Sequence, residues 1–273
     1  LLKYKADDTV SLYSCGLLTD YFYGPMVPST GCLKYFELRY FSPGFIIRMP
    51  DKSAPDIIQP YREPRKLAAI FRESERRGEL MQVENIAQLN EIAETGAQND
   101  VIQMAETLHE RDLSKIADAI CTHCPEVKLI LIAGPSSSGK TTFAQRLSIQ
   151  FRIHGIKPVA ISLDDYFIDR DKTPRDEFGE LDYENIYALD LTLFNTQLSQ
   201  LIAGEEVSTP KYDFITGARS SQTQKIKLEE NQVLIVEGIH GLNEILTATI
   251  PQKNKRKIYV SALTPLNIDN SNP

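Results

Sequence analysis

Apolar residues are distributed differently along three stretches of this chain. In the last stretch, from Val127 onward, short apolar runs alternate with helical periods. Val127–Ala133 is an almost unbroken apolar run, the pattern of a strand buried on both faces. Lys140–His154 reads as a helix stopped by Gly155, and Pro158–Leu163 as a second strand. Leu189–Ala203 reads as a second helix closed by Gly204, with further strands at Gln232–Val236 and Lys257–Ser261. Strands alternating with helices predict an α/β fold, a parallel sheet with helices on both faces.

Ala, Glu, Gln, Leu and Arg dominate residues 61–126, a helical connector by composition. Val83, Ile86, Leu89 and Ile92 recur at helical spacing, with Gly96 as a stop. Asn99 and Asp100 are candidate caps for the next helix. One apolar stripe there runs through Val101, Met104, Ala105 and Leu108, and another through Leu113, Ile116, Ala117 and Ile120. Packing between domains is the expected role, and a partner groove the alternative. Residues 1–60 are rich in Tyr, Phe, Gly and Pro. Leu33–Tyr40 and Gly44–Met49 read as short strands. Gly24-Pro25, Ser29-Thr30-Gly31 and Ser42-Pro43-Gly44 read as turns. The predicted organisation is therefore a small β-rich α+β unit over 1–60, the helical connector over 61–126, and an α/β domain over 127–273.

Composition narrows the functional classes. Of 273 residues, 42% are hydrophobic and 25% charged, the profile of a globular protein. No apolar run approaches the roughly 20 residues of a membrane span, and no basic–apolar leader is present. A net charge of −7 argues against a nucleic-acid partner. Four cysteines without a leader suggest reduced thiols and a cytoplasmic location. Cys121 and Cys124 flank His123 in a lone Cys-x-x-Cys, which lacks the second half of a tetrahedral zinc site and reads as two ordinary thiols. The first residue is Leu and not Met, so a piece of a longer chain is expected. A homo-oligomer is left open.

Three segments carry chemistry. Gly134-Pro135-Ser136-Ser137-Ser138-Gly139-Lys140-Thr141 fits the pattern G-x-x-x-x-G-K-[ST], with an apolar strand before it and a helix after it. Glycines let the backbone wrap closely around phosphate oxygens, and successive N–H groups with the helix N-terminus face the anion. Lys140 brings positive charge to the β- and γ-phosphates, and the Thr141 hydroxyl suits Mg²⁺. Ile161-Ser162-Leu163-Asp164-Asp165-Tyr166-Phe167 places two carboxylates at a strand's carboxyl end, where ligands of open α/β sheets bind. A carboxylate there can accept the proton of an attacking hydroxyl. Val233-Leu234-Ile235-Val236-Glu237-Gly238 ends a third strand in a carboxylate, the expected Mg²⁺ holder.

Gly134–Thr142, Leu163–Phe167, Tyr212-Asp213-Phe214-Ile215-Thr216-Gly217-Ala218-Arg219 and Val236-Glu237-Gly238-Ile239 follow one another as in the uridine kinase/phosphoribulokinase family. The resemblance covers about the last half of the chain. It implies a P-loop kinase using ATP and Mg²⁺ on a small-molecule hydroxyl, most simply the 5′-hydroxyl of a nucleoside. By that resemblance Asp164 is the catalytic base, assisted by Lys140. Gly134, Ser136, Ser137, Ser138, Gly139, Lys140, Thr141 and Thr142 hold the nucleotide, and Thr141 and Glu237 the metal. Glu184, in Leu181-Asp182-Tyr183-Glu184-Asn185, matches a ribose-binding aspartate, Tyr212 an aromatic that contacts the base, and Arg219 a contact to substrate or phosphate.

Two departures stand out. The position of the family's pyrimidine-reading His falls at Gly217, and the arginines of its lid are missing from these 273 residues, which run Thr264-Pro265-Leu266-Asn267-Ile268-Asp269 after the last strand, so weak turnover is expected of this piece even where the full protein is a good kinase. Other readings are a sugar-phosphate kinase of phosphoribulokinase type and a non-catalytic nucleotide- or RNA-binding regulator. Asp20-Tyr21-Phe22-Tyr23-Gly24-Pro25-Met26-Val27-Pro28-Ser29-Thr30-Gly31 is similar to the second additional domain of threonyl-tRNA synthetases. Phe22 and Met26 stand where that family has Cys and His, so the resemblance implies a degenerate unit without editing activity.

Overall fold

A computed structural model describes residues 11–22, 26–41, 44–123, 125–261 and 266–267. The Gly24-Pro25 turn, Ser42-Pro43, Cys124 and most of Thr264–Asp269 lie outside these residues. The chain divides into two compact units, Leu1–Glu94 with Leu266–Pro273, and Thr95–Pro265.

In the first unit, β1 (Leu12–Cys15) pairs antiparallel with β2 (Leu18–Tyr21), and β3 (Glu37–Phe41) with β4 (Gly44–Arg48). Arg48 pairs with the Glu37 carboxylate directly across the second hairpin, and the Arg39 guanidinium lies 4.5 Å from the centre of the Tyr61 ring. Helix α1 (Arg65–Met81) ends at Gln82, which has φ +56°. Helix α2 (Ile86–Thr95) starts with a reciprocal cap. Gln88 N–H donates to Asn85 Oδ1 at 3.0 Å, and Asn85 N–H donates to Gln88 Oε1 at 3.2 Å, so two otherwise orphaned donors are satisfied.

The second unit opens with α3 (Gln98–His123). The two apolar stripes belong to this one helix, and Asn99 and Asp100 lie inside its first turn, not at caps. Leu113, Ala117 and Ile120 are buried, whereas the stripe around Met104 is largely exposed. Next come β5 (Leu129–Ala133), α4 (Lys140–Ile153), β6 (Lys157–Ser162) and α5 (Leu191–Ile202). They are followed by β7 (Glu206–Thr209), β8 (Tyr212–Asp213), β9 (Ala218–Arg219), β10 (Gln224–Lys227), β11 (Gln232–Glu237) and β12 (Lys255–Tyr259).

β12, β5, β11 and β6 form one parallel sheet in that order. Alternation along β5 explains its unbroken apolar run. Leu129 and Leu131 join a cluster with Phe194, Leu198 and Leu201 of α5, while Ile130 and Ile132 join one with Leu113 and Ala117 of α3 and Leu147 and Phe151 of α4. Helices therefore cover both faces, as expected. Residues of α3, read by composition as connector, pack on this sheet.

β12 begins two residues before the expected Lys257. Its first residue, Lys255, is buried with its Nζ 2.9 Å from Thr247 O and 3.0 Å from Thr247 Oγ1, so a polar residue hid the start of the strand. The hairpins β7–β10 and β8–β9 were not anticipated. Their strands of two to four residues are too short to show a period. Among the described residues no helix is long and apolar enough to cross a membrane.

Candidate active site

The strand order decides which carboxyl ends become neighbours. β11 lies between β5 and β6, so Glu237 sits level with Ile132 on one side and Ser162 on the other. The loop after β5 runs from Gly134 into α4, and the segment after β6 carries Asp164. Glu237 therefore stands between the phosphate loop and the candidate base. Two glycines permit this closeness. A Cβ on Gly134 would lie 2.0 Å from the Val260 carbonyl oxygen, and one on Gly238 would lie 2.7 Å from Leu163 Cβ. Any side chain at either place would push the strand ends apart.

The phosphate loop is shaped for an anion. Ser137 has φ +59° and Gly139 φ +81°, and Gly139 leads directly into α4. Ser136, Ser137 and Gly139 are exposed, while the Ser138 hydroxyl is buried with no hydrogen-bond partner. Burying a hydroxyl without a partner costs roughly 1–3 kcal/mol, so an occupant offering an acceptor would relieve it. Lys140 Nζ donates to Pro135 O at 2.8 Å, folded back across its own loop. Thr141 and Glu237 line one cavity of about 210 Å³, together with Ser162, Asp165 and Lys211. Thr142 follows on the exposed first turn of α4. Among the described residues no group of three or more His, Cys, Asp or Glu side chains is placed to hold a metal. One carboxylate and one hydroxyl suit Mg²⁺, which usually keeps waters and takes its remaining ligands from substrate phosphates. The residues present thus fit a Mg·nucleotide.

The two adjacent aspartates are electrostatically distinct. Asp165 Oδ2 is 2.6 Å from Lys211 Nζ, a paired carboxylate. Among the described residues Asp164 has no such partner. Loss of solvent pushes its pKa up, the Glu237 charge adds to this, Lys140 opposes it, and Asp165 adds a further upward push. Asp164, Glu237 and Lys140 therefore share one electrostatic neighbourhood. A carboxylate with raised proton affinity beside a phosphate cradle is poised to accept a proton.

An aromatic group lies beyond this segment. Phe167 contacts Tyr183, Tyr212 and Phe214 at ring-centre distances of 5.7, 5.6 and 5.8 Å, and Tyr212 contacts Phe214 at 5.0 Å. Tyr212 is buried, and burial is the main cause that pushes its phenol pKa up. Arg219 faces inward. Its Nε donates to Phe167 O at 3.1 Å, its Nη2 to Tyr166 O at 3.3 Å, and its Nη1 lies 3.1 Å from Asp190 Oδ2. Those contacts brace the loop that carries Asp164 and the cap of α5. Glu184 is exposed, and its N–H donates to Asp182 Oδ1 at 3.1 Å.

Two residues here escaped sequence reasoning. His240 is half-buried, and its Nε2 has no hydrogen-bond partner among the described residues. Burial pushes its pKa down, while the nearby Asp182 and Glu184 pull it up. Its place directly after Glu237-Gly238-Ile239 was the available signal. Arg170 reaches across to Tyr183 and to the Phe214 carbonyl. Nothing in its local sequence marks it, because its partners are 13 and 44 residues away. Cys121 is half-buried, and burial raises its thiol pKa, which lowers its reactivity.

Comparison with known proteins places these features. The model of the Phosphoribulokinase / Uridine kinase family matches residues 129–269. A uridine kinase of Lactobacillus helveticus is 34% identical over 111 residues, 41% of this chain and 51% of the relative. One from Chloroflexus aurantiacus is 37% identical over 111 residues, again 41% and 51%. One from Staphylococcus haemolyticus is 33% identical over 140 residues, 51% of this chain and 64% of the relative. The chain thus spans about half to two-thirds of the length of these relatives. A solved structure described as a possible uridine kinase from Bacillus stearothermophilus is 27% identical, with a TM-score of 0.45, covering 55% of this chain and 79% of that one.

Proposed function

The chain belongs to the Phosphoribulokinase / Uridine kinase family, and we propose that it uses ATP and Mg²⁺ to phosphorylate a hydroxyl of a small molecule, namely the 5′-hydroxyl of a nucleoside. The observation that carries this reading is the convergence of Lys140 at the start of α4, Glu237 at the end of β11 and Asp164 just after β6, with the proton affinity of Asp164 raised by partial loss of solvent and by the Glu237 charge.

Bound Mg·ATP would supply the phosphoryl group and the cation that offsets its charge. The chain's own residues supply the rest. The amides of Gly134–Thr142 orient the phosphates, with the Ser138 hydroxyl gaining the partner it lacks. Lys140, released from Pro135 O, places its ammonium on the phosphate side. Thr141 and Glu237, which line one cavity, would hold the metal. Asp164 takes the proton of the acceptor hydroxyl as its oxygen bonds to phosphorus and the bond to the leaving diphosphate breaks. Tyr212 and Glu184 belong to the acceptor side, and Arg219 acts by positioning the Asp164 loop.

A panel of uridine, cytidine, inosine, guanosine, adenosine and sugar phosphates, assayed for ATP consumption with the full-length protein, tests this. Phosphorylation of at least one nucleoside is expected. ATP use with no nucleoside, or with sugar phosphates alone, would overturn it. The threonyl-tRNA synthetase-like segment is proposed as a packing or ligand-contact unit.

A further inference from the structure

The acceptor side contains a cation whose position the chain has taken trouble to define. Arg170 opens a short 3₁₀ turn, Arg170–Lys172, six residues beyond Asp164. Its backbone N–H donates to Gly217 O at 2.9 Å, which joins this turn to the β8–β9 hairpin. Its Nε donates to the Tyr183 hydroxyl at 3.2 Å, and its Nη2 to Phe214 O at 2.8 Å. The guanidinium therefore sits at the rim of the Phe167–Tyr183–Tyr212–Phe214 ring cluster, oriented by partners from two different loops. Among the described residues no hydrogen bond engages its Nη1, and the residue is exposed. Phe214 beside it is 55% exposed, so a π-face remains open next to the charge.

Gly217 is shaped to this guanidinium. It has φ +70°, and a Cβ built on it would lie 2.5 Å from Arg170 Nε and 2.6 Å from Arg170 Cζ. Any side chain at 217 would evict the guanidinium, and the guanidinium fills the space such a side chain would use.

We infer that Arg170 is the specificity-determining residue of the acceptor side and selects nucleosides whose base presents a carbonyl at the position where cytosine and adenine carry their exocyclic amine. The inference rests on the nucleoside-kinase reading. Its chemistry is simple. A guanidinium carries donors only, so facing the position that is a carbonyl in uracil and hypoxanthine and an amino group in cytosine and adenine it pairs with the carbonyl and leaves the amino group unpaired. The exposed Phe214 face supplies the flat apolar surface on which a planar base stacks. A hydrogen bond to a charged group is worth roughly 1.5–3 kcal/mol, which corresponds to a preference of about tenfold or more.

The test is the ratio of kcat/KM for uridine over cytidine and for inosine over adenosine, in the full-length protein and in three variants. The wild type is expected to favour the carbonyl base of each pair by about tenfold or more. Arg170→Lys keeps a donor-only cation and should keep the direction of preference. Arg170→Gln can both donate and accept, and its ratio should fall to near one. Gly217→Ala should also lower the ratio by displacing the guanidinium. A role that is only structural would move the lysine and glutamine variants together, in KM and kcat alike, with the ratios untouched. Turnover of nucleosides with no carbonyl preference, or with equal ratios in wild type and Arg170→Gln, overturns this inference and leaves the kinase reading standing. No turnover of any nucleoside, or use of sugar phosphates alone, overturns both.

Discussion

β5 and β3 are both strands of five residues, yet every residue of β5 is buried and none of β3 is. In the Thr95–Pro265 unit, buried side chains form two clusters, one on each face of a parallel sheet. In the unit that begins at Leu1, the buried apolar side chains among the described residues are Ala68 and Val83, while Leu12, Leu38, Tyr40, Phe45 and Ile47 are exposed. The difference lies in how each set of hydrogen bonds is completed. A two-stranded hairpin closes its ladder alone but has nothing to lay over its faces, and such hairpins are marginal by themselves. A parallel sheet requires crossovers, and the crossover helices become its cover. The chemistry follows the covered region, because a site must hold its groups to within a fraction of an ångström.

The largest expected effects come from chemistry that depends on the covered sheet. Asp164→Asn should lose about 10²–10⁴-fold in turnover while keeping nucleotide affinity, whereas Lys140→Ala should weaken nucleotide binding itself. Steady-state assays and calorimetric titration separate the two, and equal loss of binding in both variants would remove the distinction of roles. Asp164 binds its proton more tightly in the folded chain than in the unfolded one, so its ionisation opposes folding above the ordinary carboxylate range. The thermal midpoint of Asp164→Asn at neutral pH should therefore not fall.

Next in size is the core. Leu131→Ala, in the middle of β5 and fully buried, should destabilise by about 2–5 kcal/mol in urea unfolding. A smaller value would mean that the sheet collapses around the gap. For pH, the base must be ionised to accept a proton. kcat/KM should drop about tenfold per unit as pH falls below the Asp164 pKa, with the break above the usual carboxylate value. A pH–rate profile that breaks near pH 4 would contradict the raised proton affinity.

In the first unit the effects should be smaller. Asn85→Ala removes one half of the α2 cap and should cost about 1 kcal/mol, read by urea unfolding. Leu38→Ala, on an exposed strand face, should stay within about 0.5 kcal/mol. A larger cost would show that β3 is covered in solution by something beyond its own hairpin.

Local sequence was enough wherever a signal lay within one strand, turn or helix. The apolar run of β5, the glycines and lysine of the phosphate loop, and the acidic ends of β6 and β11 each declare themselves within a few residues, because backbone geometry and anion binding are local demands. Tertiary structure alone decided the rest. The order β12-β5-β11-β6 made Glu237 the neighbour of both the phosphate loop and the Asp164 segment. The folding of the loops and short hairpins around that sheet gave Asp165 a partner in Lys211, turned Arg219 inward, set His240 near Asp182 and Glu184, and laid Arg170 over Gly217. Those pairings join residues tens of positions apart, and a charge or a hydrogen bond acts through distance in space, which no window of sequence contains.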